Sequence, residues 1–174
     1  MLIKPAKAWE GILAEPFSIN DILIQFNLPL IGAYSIAVFL GHLFTYNELD
    51  FIDALKFSAF GFSAYFFSLY IGYFAMLKLM PLIGMKEDKE MAFRMMAYSA
   101  APMYVLGIVT ALIPQAFFFI FMSVYSAVIV WEGLKIINSE PQKRVIQAMA
   151  ISALVLFLPI LLKKGLIYFS QYSL

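Results

Sequence analysis

ALKFSAFGFSAYFFSLYIGYFAMLKLM, residues 54–80, is the stretch from which the rest of the chain can be read. Between Lys56 and Lys78 it carries no charge. At about 1.5 Å of rise per residue, a helix of this length exceeds the ~30 Å hydrocarbon core of a bilayer and crosses it with tilt. Inside the run Ala64, Ser68 and Gly72 recur every four residues. That spacing makes a shallow ridge on one helix face, where a neighbouring backbone can approach closely.

The same pattern repeats on either side. An earlier apolar run, residues 27–44, contains Pro29, Gly32, Gly41 and His42, and is followed by a polar turn with Glu48, Asp50 and Asp53. Later runs cover residues 91–113, 116–137 and 145–162. They are separated by the very tight break Pro114-Gln115 and by the polar segment 138–144, and Lys163-Lys164 close the last one. The reading is an all-α, polytopic membrane helix bundle of about five spans. Composition agrees: of 174 residues 63% are hydrophobic and only 13% charged, with a mean hydropathy of +0.87. A soluble domain carries roughly 25% charged residues. Such a chain cannot cover a water-facing surface, so lipid is its solvent.

Residues 1–26 read as a cytoplasmic N-terminal segment, and 27–174 as the five-span domain. Trp9, Ile12, Leu13 and Phe17 recur at helical spacing, Pro5 suits a first helical turn and Pro16 ends the helix. The expectation is a short amphipathic helix on the membrane surface with Trp9 at headgroup level. The opening residues do not read as a signal peptide.

Five spans put the termini on opposite faces, and the distribution of Lys and Arg decides which is which. With the N-terminus inside, Lys4, Lys7, Lys78, Lys86, Lys89, Arg94, Lys135, Lys143 and Arg144 are cytoplasmic, while Lys56, Lys163 and Lys164 lie opposite. The bias predicts a cell (inner) membrane protein with a cytoplasmic N-terminus and an outer C-terminus. Trp9 and Trp131 then fall near one interface, Tyr168 and Tyr172 near the other.

Three groups of residues carry a family resemblance. They are Lys4-Pro5-Ala6-Lys7-Ala8-Trp9-Glu10 with Glu15-Pro16, then Ala97-Tyr98-Ser99-Ala100-Ala101-Pro102, then Tyr125 through Trp131-Glu132-Gly133-Leu134. Together they resemble prokaryotic members of the Yip (Ypt/Rab-interacting protein) membrane-domain family. The middle segment is similar to a Gly-Tyr-Ser-x-x-Pro motif, with alanine in place of the glycine. The resemblance implies a five-span bundle with a cytoplasmic N-terminus. Eukaryotic relatives are linked to small GTPases and vesicle traffic, but the chain lacks their long N-terminal region, and that role is not carried over.

Chemistry is sparse. With no cysteine and His42 as the only histidine, a zinc site lacks its ligand set, and no metal or other cofactor is expected. His42 reads as an interfacial side chain. Glu48, Asp50 and Asp53 lack the spacing of a calcium loop and read as a solvated acidic turn. The intramembrane hydroxyls Ser58, Ser63, Ser68 and Ser99 have no base at a recognisable distance. Ser99 is expected to bond across helices or to backbone freed by Pro102. A net charge of +1 gives no footing for nucleic acid.

What remains are polar and packing positions in the spans: Arg94, Glu132, Lys78, His42, Tyr98, Ser99 and Pro102. Arg94 lies 20 residues before Pro114 and Glu132 lies 18 after it. At ~1.5 Å per residue they sit roughly 30 and 27 Å from the hairpin. Glu132 is therefore expected to pair with Arg94, with Lys78 the next candidate and Lys135, one turn on, the bland alternative. The expected role is non-enzymatic: membrane organisation through helix packing and contacts with lipid, other membrane proteins or a second copy. A transporter or channel for a small solute or ion is the alternative.

Overall fold

The computed structural model describes residues 3–45, 50–137 and 141–172, and every regular element among them is a helix. α1 (Pro5–Ala14) starts on Pro5, whose missing N–H costs nothing in a first turn, and stops before Pro16. Ser18 then starts a new helix with a capping box. The Asp21 N–H donates to Ser18 Oγ (3.2 Å) and the Ser18 N–H donates back to Asp21 Oδ2 (3.0 Å).

α2 (Ile19–Ile22), a π-wound turn (Leu23–Asn27) and α3 (Leu28–Thr45) follow without a break. The wide turn lies just before Pro29, which has no N–H to offer the carbonyl one turn back. The first membrane-length stretch is thus Ile19–Phe44, starting ahead of the expected Asn27.

α4 (Phe51–Leu82) is capped by Asp50, whose Oδ1 accepts from the Asp53 N–H at 2.9 Å. It ends in a Schellman turn. Gly84, at φ 75°, lets the Met85 N–H reach Met80 O (2.8 Å) and its own N–H reach Pro81 O (3.1 Å). α5 (Lys89–Ser99) and α6 (Ala101–Leu112) are one span interrupted at Ala100, because Pro102 cannot continue the ladder. After the Pro114 break a 3-10 helix (Pro114–Val124), kinked at Ala116, leads into α7 (Tyr125–Ile137), and α8 (Pro141–Tyr172) completes the bundle.

Five stretches are long and apolar enough to cross a membrane: Ile19–Phe44, Phe51–Leu82, Lys89–Leu112, Pro114–Ile137 and Pro141–Ser170. The protein is an all-α, multi-pass membrane bundle. α4 lies at its centre, packed on α3 and α8, and α6 packs on α3. The small-residue ridge does what its spacing predicts: Ala64, Ser68 and Gly72 are all buried. Ser58 and Ser35 tie α4 to α3, each hydroxyl 2.8 Å from the other. Gly41 permits the closest backbone approach, since a Cβ there would stand 1.8 Å from the Ala111 carbonyl oxygen of α6. Large apolar side chains that are not in the core, among them Phe74, Phe121 and Phe169, point outward. In a bilayer that is their solvent.

Candidate functional site

At one end of the bundle α1 folds back onto α7. Trp9 is fully buried, and its indole Nε1 donates to the Ile129 carbonyl at 2.8 Å. Gly133 supplies the space, because a Cβ there would come within 2.7 Å of the indole ring. Tyr98 of α5 meets the indole edge-on at 6.2 Å. Trp9 is thus a core residue rather than the expected headgroup anchor. The apolar stripe of α1 has found helices to cover it, which gives more contact than an interface does.

Arg94 explains how α1 is held. Its guanidinium donates to the carbonyls of Ile12, Glu15 (3.1 Å) and Phe17 (3.0 Å). A helix end leaves carbonyls without partners, and Pro16 prevents the next turn from using them. A cation there also meets the negative end of the helix dipole. The expected Arg94–Glu132 pair is therefore not formed. Glu132 binds Lys135 instead, at 2.6 Å on the same helix. Depth alone did not decide the partner: Arg94 was taken by the end of α1, while a lysine one turn away reached the carboxylate.

Three tyrosines occupy the middle of the bundle. Tyr34 (α3) meets Tyr65 (α4) edge-on at 4.6 Å, and Tyr65 meets Tyr104 (α6) at 5.0 Å. Tyr34 lies in a slot between Gly61 and Gly107, where either Cβ would come within 2.9 Å of its ring. The stack is finished by polar groups. The buried Asn27 side-chain amide donates to Ala97 O (3.3 Å) and stands 3.5 Å from Tyr104 OH. The Tyr65 hydroxyl donates to Met103 O at 3.4 Å. At the other end Lys163 Nζ donates to Tyr34 OH at 2.9 Å and sits 5.6 Å from the centre of that ring. The second contact sets the ammonium against the ring's quadrupole.

Beyond Tyr34 the bundle opens. A cavity of about 670 Å³ lies between α3, α6, the 3-10 helix and α8. Its floor is Tyr34, Tyr65 and Met103, its side walls include His42 and Thr110, and Lys163 and Lys164 stand on α8. The remaining wall is Pro114, Phe117, Ile120 and Ser123. Beyond a kink at Ala116, Phe117, Ile120 and Ser123 are spaced by three, and in a 3-10 helix residues three apart eclipse one another. An α-helix would turn that row away from the cavity. α7 packs on α8, but the 3-10 helix above it packs on α6. Phe117 on the 3-10 helix and Ile160 and Lys164 on α8 are exposed side chains of this lining. Among the described residues no carboxylate lines this cavity.

Apart from Glu132, the positions singled out from sequence fall into four places. Arg94 and Tyr98 belong to the seat of α1, and His42 lines the cavity, 5.1 Å from the Phe57 ring. Lys78 is exposed at the far end of α4. Pro102 and Ser99 mark the α5–α6 break. Ser99 is fully buried, but its hydroxyl makes no hydrogen bond. The freed backbone satisfies itself instead, Met103 N–H reaching Ala100 O at 3.0 Å. Asp50 serves as a helix cap, and Glu48 lies outside the described residues.

Sequence reasoning missed Tyr34, Tyr65, Tyr104, Asn27 and Lys163 as a group. The available signals were Asn27 and Lys163, polar residues at the edges of apolar runs. A family model described as the Yip1 domain matches residues 1–162. No curated protein and no solved structure matches the chain.

Proposed function

The chain belongs to the Yip1 domain family of membrane proteins, and from that premise we propose that it works without catalysis, organising the membrane around it. Its working surfaces are the lipid-facing sides of the bundle, which meet lipid and other membrane proteins. The observation that carries this reading is where the cavity stops. It is lined by Tyr34 and Tyr65 of the tyrosine stack, and Met76, Met80, Met95, Phe93 and Trp9 in the rest of the core are all fully or nearly fully buried. A conduit needs convergent polar groups near the midplane and access from both faces. A pocket backed by methionine and aromatic packing suits a binder better.

The N-terminal segment is placed in the cytoplasm and the C-terminus outside, in the cell membrane. The support is the excess of Lys and Arg at the α1 end of the bundle. The native chain has no cysteine, so single replacements report cleanly. In sealed cells, Gln115→Cys and Ser170→Cys should react with an impermeant maleimide, and Lys7→Cys and Glu87→Cys only after lysis. Labelling of positions 87 and 115 from the same side would refute the arrangement. For the role itself, proteoliposomes carrying the protein should pass ions and small solutes no faster than empty ones. Faster, protein-dependent flux would make the chain a transporter or channel.

A further inference from the structure

We propose that the cavity between the 3-10 helix and α8 binds one anionic glycerophospholipid, the phosphate held by Lys163 and Lys164 and one acyl chain lying along Pro114, Phe117 and Ile120. The inference rests on the lipid-contact role proposed above and names the lipid and its place.

Charge is the first argument. Lys163 lies inside the last membrane-length stretch and is half-buried, yet its hydrogen-bond partner is a neutral phenol. A cation within a bilayer is costly without a counter-charge. The ion pair between Lys135 and Glu132 is on α7, and neither residue lines the cavity. Lys164 adds a second positive charge at the rim. Among the described residues no carboxylate joins these two cations on the cavity lining, and an anion completes such a site. Tyr34 adds a donor, because its hydroxyl accepts from Lys163 and keeps its own proton to give.

Shape is the second. Pro114, Phe117 and Ile120 line the cavity with apolar surface, and Ile160 and Ile167 of α8 line it too. A volume of about 670 Å³ falls within the roughly 300–1,000 Å³ of ligand sites. Access is the third. Phe117 and Ile160 on the cavity lining are exposed and apolar, so a ligand arriving through the bilayer meets compatible surface. A lipid alone among phosphate-bearing molecules brings the anion and the apolar tail by the same route.

The test uses the full chain in mild detergent with equal phosphatidylglycerol and phosphatidylcholine of identical acyl chains, and native mass spectrometry to count retained lipid. The wild type should keep one phosphatidylglycerol in preference, on the order of tenfold, the worth of two lysines beside an anionic headgroup. Lys163→Gln with Lys164→Gln should remove the preference. Lys86→Gln with Lys89→Gln, two exposed lysines at the other end of the bundle, removes equal charge and should leave it intact. Ile120→Trp keeps both lysines and fills the cavity, so it should expel the lipid, and it decides the matter if the lysine variant does not fold. Equal retention of the two lipids by the wild type would overturn the proposal. So would a preference that survives in a folded lysine variant or in Ile120→Trp, or displacement of the lipid by soluble glycerol phosphate. Each of these leaves the organising role standing, which only protein-dependent flux would overturn.

Discussion

Where α1 docks, the space between α5 and α7 is filled by Trp9, and Arg94 binds three carbonyls at once. At the other end, where α3 and α6 finish, α8 and the 3-10 helix part company and Lys163 leans on a phenol. Both ends face the same difficulty, a basic side chain carried into apolar surroundings. The first resolves it inside the chain, with the unpaired carbonyls of a broken helix. Among the described residues the second offers a hydroxyl and a ring. The lesson is that one end of this bundle is complete as folded, while the other is built so that something outside the chain can complete it.

The largest effect should come from breaking the closed end. Trp9→Ala removes a fully buried indole and its hydrogen bond to Ile129, and should lower stability by about 3–5 kcal/mol. Thermal unfolding in a fixed detergent reads this directly. A loss below about 1 kcal/mol, the scale of a surface change, would mean that α1 is not seated in the bundle.

A smaller effect separates two glycines of one helix. Gly41→Ala forces a methyl against the Ala111 carbonyl, a backbone atom that cannot step aside, and should cost about 1–3 kcal/mol. Gly32, nine residues earlier in α3, has nothing within 4 Å of the same methyl. Gly32→Ala should therefore gain up to ~1 kcal/mol from helix propensity. Equal effects at the two positions would deny the close α3–α6 crossing that frames the open end.

The smallest effect is the sharpest on wiring. Glu132→Gln breaks a partly exposed pair with Lys135 and should cost about 1 kcal/mol or less. Arg94→Gln should cost more, because it leaves the α1 carbonyls unpaired. Made together, the two losses should add, since the side chains do not meet. A double variant less damaged than the sum would restore the Arg94–Glu132 pair and with it the simple hairpin picture.

Much of the fold could be read from the sequence because membrane spans announce themselves by length. The runs around Ala64–Gly72 and Ala116–Ile137, and the break at Pro114, needed only apolar length and a proline. Pro102 likewise told of an interrupted helix, and the structure splits α5 from α6 at Ala100. The site was harder, for a physical reason. Apolar residues in a span look alike whether they face lipid or a neighbouring helix, so Trp9 read as an interfacial anchor when α7 had a glycine cut to fit it. Lys163-Lys164 read as the end of a span, because charge usually marks water; α8 instead continues to Tyr172 and turns Lys163 inward. The Arg94–Glu132 expectation failed on orientation rather than depth. Residue spacing along a helix gives height well, but what lies between two helices depends on a third that sequence does not place.

The winding of the fourth span carries a consequence for the thickness of membrane it suits. Beyond the kink at Ala116, the residues from Phe117 to Val124 are wound as a 3-10 helix, and at ~2.0 Å per residue they reach about 16 Å, against about 12 Å as an α-helix. The span therefore covers roughly 4 Å more hydrocarbon than its residue count suggests. Rewinding it would shorten the span and at the same time rotate Phe117 and Ile120 off the cavity wall. In this molecule the fit to bilayer thickness and the shape of the side pocket are a single variable.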